Sequence, residues 1–146
     1  MSTFEEILEK DGKLVYKTKG VSMNPMLYQN RDLVVIEVPE GRLQKYDVAL
    51  YRRGKSYVLH RVIGVNENGT YSIRGDNTYS IEIVPDSAVL GVLTSFVRNG
   101  QQHQVTDQGY QRYVKFWCAI YPVRSFYVHL KWRVKAVLRR IIKGKK

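Results

Sequence analysis

The sequence predicts a mainly β fold: an antiparallel, partly open barrel with a short helix before it and a basic amphipathic helix after it. Three observations lead to this prediction. Short apolar segments separated by turn residues succeed one another closely, the 11 tyrosines and many valines favour extended structure, and the pattern becomes helical near the C-terminus of the 146-residue chain. We therefore expect a β-rich domain at residues 1–107 and a helical tail at residues 108–146.

The N-terminal helix is predicted from a capping box. Thr3 precedes Glu6 by three positions, the spacing at which each side chain can accept the other residue's backbone N–H. The apolar residues that follow keep to one helical face, and Gly12 ends the pattern. The predicted helix spans about residues 4–10.

The strands are predicted from runs of β-forming residues bounded by turn residues. Residues 66–69, "NENG", form a typical hairpin turn. Residues 76–87 are predicted as a loop, and "NGQQHQ" at 99–104 as a polar loop. The predicted strands lie within residues 13–20, 32–38, 47–53, 56–66, 70–75 and 88–100.

The tail combines an apolar stripe with a strong positive charge. Apolar residues recur at three- and four-residue steps from Val123 to Ile142, which indicates one face of a helix. Residues 108–146 contain 11 Lys and Arg and no acid, whereas residues 1–107 contain 13 of each sign, so the tail carries the whole net charge of +11. We expect this helix to lie on an anionic membrane surface, with contacts from Arg124, Lys131, Trp132, Arg133, Lys135, Arg139 and Arg140. The alternatives are a helix that packs on the barrel with a solvated basic face and, less favoured, a nucleic-acid site.

Composition also limits the compartment and the cofactors. The acidic N-terminus has no apolar segment typical of a secretory signal, and no run of about 18 apolar residues predicts a membrane-spanning helix. The single cysteine, Cys118, provides neither a disulfide framework nor a zinc cluster. We expect a cytoplasmic protein, peripheral on the inner face of the cell membrane, with no metal and no cofactor; its oligomeric state stays open.

Ser22, in "GVSMNP", becomes a candidate nucleophile only if a base lies beside it. Of the three histidines, His129 lies in the tail and His103 in a polar loop, whereas His60 lies inside a predicted strand. Asp76 and Glu82 follow one turn and one strand later and are both candidates for the acid that orients the imidazole. The structural alternative is a turn serine, a half-buried histidine and a turn aspartate.

Five segments in order, "GVSMNPML", "RDLVVIEV", "YDVALYR", "YVLHRVIGV" and "IRGDN", resemble the type I signal peptidase family and the related peptidase domain of LexA-type repressors. The resemblance covers about residues 14–95. It implies a barrel of that peptidase type and places the nucleophile at Ser22. Most bacterial members have lysine at the position of His60, and with histidine there the sequence resembles the serine–histidine branch of the family. The family's acids fall on Asp76 and Glu82, and the choice between them stays open.

The resemblance implies an endopeptidase that cleaves a leader or signal peptide through an acyl-enzyme. Two departures accompany it. Gly20 occupies the position of a family hydroxyl, so the oxyanion donors are expected to be backbone N–H groups such as that of Ser22. The family's usual N-terminal membrane anchor is replaced by the short acidic helix. We expect Met23, Pro25 and Met26 to contact the substrate, with core packing as the alternative for the methionines. The rival function is a non-catalytic peptide-binding or membrane-surface adaptor that keeps the fold.

Overall fold

The computed structural model describes residues 3 to 144, and these fall into two compact units that meet between Gln111 and Arg112 in the chain. The helices are α1 (Phe4–Asp11), α2 (Gln108–Ala119) and α3 (Tyr121–Gly144), and a 3₁₀ turn covers Asp86–Ala88. The strands are β1 (Lys13–Lys17), β2 (Leu33–Glu37), β3 (Val48–Arg53), β4 (Ser56–Val65), β5 (Thr70–Arg74), β6 (Glu82–Pro85), β7 (Val89–Arg98) and β8 (Gln101–Gln104).

The α1 helix begins where the sequence predicts and ends at the predicted glycine cap. The Thr3 hydroxyl accepts the backbone N–H of Glu6, and the Glu6 carboxylate accepts that of Thr3, so the capping box is complete. Gly12 takes the left-handed conformation, with φ of 69°, and its N–H bonds to the Leu8 carbonyl. The predicted helix is confirmed and extends one residue further, to Asp11.

The strands form one antiparallel sheet in the order β1-β2-β7-β3-β4-β5-β6, with β8 also paired to β7. The prediction of a mainly antiparallel β fold is therefore confirmed. Within residues 3–144, β1 and β6 are the two ends of this order and the sheet does not close on itself. The core lies around β3, whose first four residues are all buried, and includes Tyr51, Val62, Tyr71 and Ile73.

Two elements, β6 and β8, differ from the prediction. Residues 76–87 were predicted as a loop, but they contain β6, which pairs with β5. Residues 99–104 were also predicted as a loop, but β8 lies there and His103 is opposite Phe96. Asn99 and Gly100 have φ of 51° and 83°, the double positive φ of a tight hairpin turn. Both strands span only four residues, and β8 consists of Gln and His, so their pairing depends on partner strands more than on their own composition. α2 lies within the predicted helical tail, which the structure divides into two helices, α2 and α3.

The α3 helix confirms the predicted C-terminal helix. None of its described side chains is buried, and its apolar residues at the predicted three- and four-residue steps are between 48% and 71% exposed. Its charged residues are all basic. None of the helices between residues 3 and 144 is long and apolar enough to cross a membrane.

Candidate functional site

The turn that holds Ser22 connects β1 to β2. Two backbone hydrogen bonds close it, from Asn24 to the Val21 carbonyl at 3.1 Å and from Leu27 to the Met23 carbonyl at 3.0 Å. Met23 and Leu27 are buried and anchor the turn, whereas Ser22 stays half-buried. The buried anchors on the C-terminal side and the hydrogen bond from Asn24 to Val21 together hold the backbone around Ser22.

A second loop, Gly75-Asp76-Asn77, holds the serine turn from the other side. The Asn77 backbone N–H donates to the Ser22 carbonyl at 2.8 Å, and the Asn77 side-chain amide donates to the Val21 carbonyl at 3.1 Å. The Asp76 N–H lies 3.4 Å from the Met23 sulfur. This loop follows β5, the strand beside β4, so it joins the serine turn to the region of the histidine strand.

Gly75 shows how closely Ser22 and His60 approach. A Cβ built on Gly75 would lie 2.7 Å from the Ser22 carbonyl oxygen and 3.0 Å from His60 Nε2. The sum of these distances puts that oxygen and Nε2 at most 5.7 Å apart. The Nε2 edge of the imidazole therefore faces the serine turn, and both residues line one cavity. Among residues 3–144, no hydrogen bond joins the Ser22 hydroxyl to His60; such bonds are often long before substrate binds.

His60 lies in β4 opposite Ala49 of β3 and is 9% exposed. Its pKa is lowered from the ordinary value, mainly because burial disfavours the charged imidazolium and also because of the Arg53 guanidinium. Glu82 and Asp76 oppose this shift electrostatically. At neutral pH the imidazole is therefore uncharged and able to accept a proton.

Glu82 reaches the histidine through Tyr51. The Tyr51 hydroxyl donates to Glu82 Oε1 at 2.5 Å and lies 3.4 Å from His60 Nδ1. Arg53 binds both oxygens of Glu82, each at 2.8 Å. These hydrogen bonds, with that of Arg53 the strongest, lower the pKa of Glu82, so it is a carboxylate at neutral pH.

Asp76 has a different partner. Its two carboxylate oxygens accept from Arg61 Nε and Nη2 at 2.7 and 2.8 Å, and the two side chains are only 2% and 1% exposed. The same guanidinium donates to the Tyr46 carbonyl, the Tyr110 hydroxyl and the Met26 sulfur. Asp76 thus belongs to a buried ion pair that ties β4 to the serine turn, and of the two candidate acids Glu82 has the hydrogen-bonded route to His60.

The predicted substrate contacts differ in burial. The cavity, of about 860 Å³, has Met23 and Leu27 in its wall together with aromatic residues of α1, β1 and β4: Phe4, Tyr16 and Tyr57. Met26 is 1% exposed and its sulfur faces Arg61, so it belongs to the core. Pro25 is half-buried and follows a cis peptide bond.

The backbone N–H of Ser22, the predicted oxyanion donor, has no hydrogen-bond acceptor in the described part of the chain. The N–H of Gly20, by contrast, donates to the Gln29 side chain at 2.9 Å. Gly20 has φ of 82°, which explains why a glycine suits this position. One N–H group at the candidate nucleophile is thus without an acceptor in the described residues and could bind a developing oxyanion.

The sequence analysis did not identify Tyr51 and Arg53 as site residues, although the hairpin between β3 and β4 indicates them. The hairpin at Gly54 fixes the register of β3 on β4, so that Arg53 is opposite Ser56 and Ala49 is opposite His60. Alternate residues of a strand share a face, and Tyr51 and Arg53 therefore lie on the face of His60. Counting back from the turn would have identified both.

The predicted membrane-surface residues are exposed in α3, with one exception. Arg124 is half-buried: its guanidinium carbon lies 3.8 Å from the centre of the Trp117 ring, and it donates to the Trp117 carbonyl. The other predicted contacts, including Trp132, are exposed.

Comparison with known proteins does not assign the chain to a family. No protein-family model matches it, and no curated protein matches it.

Proposed function

We propose that this protein is a serine endopeptidase that cleaves a leader or signal peptide, with the barrel type and serine–histidine chemistry that its resemblance to type I signal peptidases implies. The observation that supports this best is the approach of His60 Nε2 to within 5.7 Å of the Ser22 carbonyl oxygen, on the wall of one cavity. A histidine that is uncharged at neutral pH and faces a serine is the minimum arrangement for nucleophilic catalysis.

The reaction follows from the positions of these groups. His60 Nε2 takes the proton of the Ser22 hydroxyl as its oxygen attacks the scissile carbonyl, and the Ser22 N–H donates to the oxyanion. The tetrahedral intermediate then breaks its C–N bond, and His60 returns the proton to the leaving amine. Water attacks the resulting ester by the same route, which frees the second product and restores Ser22.

An extended peptide fits the surroundings of Ser22. β1 is an end strand of the sheet, and its last residue, Lys17, lines the cavity together with the three residues that follow, up to Gly20. A substrate strand can pair with such an edge through backbone hydrogen bonds, and pockets beside it then select the side chains. By resemblance, small side chains near the cleaved bond are preferred.

The proposal includes a peripheral location on the inner face of the cell membrane. The exposed apolar stripe and the exclusively basic charge of α3 support adsorption to anionic lipid headgroups, because the stripe enters the interface while Lys and Arg contact the phosphates. Membrane adsorption would concentrate the enzyme near precursors that are themselves at the membrane.

The test compares wild type with Ser22→Ala and His60→Ala on a panel of leader-peptide substrates. Removal of the base is expected to lower kcat/KM by at least about a hundredfold, and removal of the nucleophile to abolish detectable turnover. Ser87→Ala, at an exposed serine of the 3₁₀ turn, and His129→Ala, at an exposed histidine of α3, are the matched controls. Equal cleavage by all five proteins would refute the proposal, and peptide binding without cleavage by wild type would favour the non-catalytic adaptor.

A further inference from the structure

Tyr51 connects the candidate base to the candidate acid. Its side chain is 1% exposed, so its hydroxyl bonds to protein groups rather than to bulk water. Three of them surround it: Glu82 Oε1 at 2.5 Å, His60 Nδ1 at 3.4 Å and Arg53 Nη2 at 3.5 Å. A phenol has one proton to donate and two lone pairs to accept with, so three partners use its full capacity.

The direction of each hydrogen bond follows from its partner. Glu82 is a carboxylate and can only accept, whereas Arg53 can only donate. Burial and the neighbouring Glu82 raise the pKa of Tyr51, so the phenol keeps its proton. That proton goes to Glu82, which leaves a lone pair of the phenol oxygen facing His60.

This direction fixes the imidazole tautomer. A neutral imidazole carries one proton, and only the tautomer protonated at Nδ1 can donate to the phenol oxygen. Nε2 is then unprotonated, and it is the nitrogen that faces the serine turn. The opposite tautomer would put two lone pairs against each other at Nδ1 and leave a proton at Nε2, where the base is needed.

We propose that Tyr51 is the positioning residue for His60: its hydroxyl, held by Glu82 and Arg53, selects the tautomer in which Nε2 accepts the Ser22 proton. Glu82 thus acts through the phenol rather than on the imidazole itself. The catalytic consequence rests on the proposed peptidase function, but the tautomer does not.

This arrangement differs from a direct histidine–carboxylate contact in its electrostatics. The negative charge of Glu82 is separated from the imidazole by the phenol and is compensated by the bidentate Arg53. The imidazolium formed during the reaction is therefore stabilised less than it would be beside a free carboxylate, which agrees with the lowered pKa of His60. Tyr51 and Glu82 therefore contribute mainly by orienting the His60 ring rather than by stabilising its positive charge.

The first experiment reads the tautomer directly. ¹⁵N–¹H correlation spectra of the histidine side chains are recorded for the full wild-type chain at pH 8, with His60→Gln to assign the signals. The expected result is a protonated, pyrrole-type Nδ1 and an unprotonated, pyridine-type Nε2 for His60. The opposite assignment would overturn the inference whether or not the protein is a peptidase.

The second experiment measures the rate of Ser22 modification by a fluorophosphonate, in which the Ser22 oxygen forms a bond to phosphorus, fluoride leaves and His60 takes the proton. Tyr51→Phe is expected to lower the second-order rate constant about tenfold, the equivalent of one lost hydrogen bond, and to give a mixture of His60 tautomers. Tyr71→Phe is the control, because Tyr71 is also 1% exposed but bonds to the Leu43 N–H away from the site.

The two experiments distinguish a failure of the positioning role of Tyr51 from a failure of the peptidase proposal. Equal rates and equal His60 spectra for Tyr51→Phe and Tyr71→Phe would overturn the positioning role. If wild type is not modified at Ser22, the peptidase proposal fails, while the ¹⁵N spectra still decide the role of Tyr51 in fixing the imidazole.

Discussion

Gly75→Ala tests the geometry of the site with one methyl group. The added Cβ would lie 2.7 Å from the Ser22 carbonyl oxygen, where a normal contact needs about 3.4 Å, and 3.0 Å from two atoms of the His60 ring. The serine carbonyl is backbone, tied to Asn77 by a 2.8 Å hydrogen bond, so the clash cannot be relieved by rotating a side chain. The serine turn and the 75–77 loop must separate by roughly 0.7 Å, the difference between those two distances.

A displacement of this size acts on reactivity more than on folding. A misplacement of about 1 Å between reacting groups costs on the order of a hundredfold in rate, so we expect a loss of between about ten- and a hundredfold in fluorophosphonate modification of Ser22. Overpacking of this kind lowers the free energy of unfolding by about 1–3 kcal/mol, measured by urea denaturation. Gly64→Ala is the control, because Gly64 lies in the same strand as His60 and its Cβ would meet Ser72 at an ordinary 3.5 Å. Modification of Gly75→Ala at the wild-type rate would refute the claim that this loop sets the approach of Ser22 and His60.

Three further predictions concern His60, the buried ion pair of Asp76 and the basic face of α3. Because the pKa of His60 is below its ordinary value of about 6.5, the unfolded chain binds the proton more tightly, and the stability that this group contributes above pH ~6.5 is lost as the pH falls through the lowered pKa. Urea melts at several pH values should show this loss for wild type, and His60→Gln should reduce the dependence of the free energy of unfolding on pH. Asp76→Ala leaves a buried guanidinium without its carboxylate and should cost about 3–5 kcal/mol in the same assay, whereas Asp86→Ala, which breaks an exposed pair, should cost under about 1 kcal/mol; equal losses would contradict the burial argument. The double substitution Arg139→Gln/Arg140→Gln should weaken co-sedimentation with phosphatidylserine vesicles about thirtyfold, at about 1 kcal/mol per residue, and an unchanged affinity would argue against electrostatic adsorption of α3.

The sequence predicts those strands that are rich in β-forming residues, because their own composition favours extended structure. β2, β3, β4, β5 and β7 are rich in Val, Ile, Leu and Tyr, and each lies where the pattern puts it. β6 and β8 each span four residues, and β8 consists of Gln and His. Their extended conformation is stabilised by pairing with β5 and β7, and such tertiary stabilisation leaves little trace in local sequence.

The site was predictable to the extent that its residues lie in local motifs, whereas the contacts that depend on strand pairing were not. Ser22 and His60 were identified from their motifs, and both lie on the cavity wall. The choice between the acids could not be made, because Glu82 reaches Tyr51 only through β6, the strand that was missed. The salt bridge between Asp76 and Arg61 could not be predicted either, because it depends on the register of β4 against β5. That register places Arg61 opposite Arg74, beside the 75–77 loop.

The most direct measurement is the site of covalent modification. The full-length protein is treated with a fluorophosphonate at pH 8, digested and mapped by mass spectrometry, in parallel with His60→Ala. A single adduct on the peptide that contains Ser22, formed at least about a hundredfold more slowly in His60→Ala, is the predicted result. No adduct at Ser22, or one that forms at the same rate without the imidazole, would contradict a nucleophilic serine activated by His60.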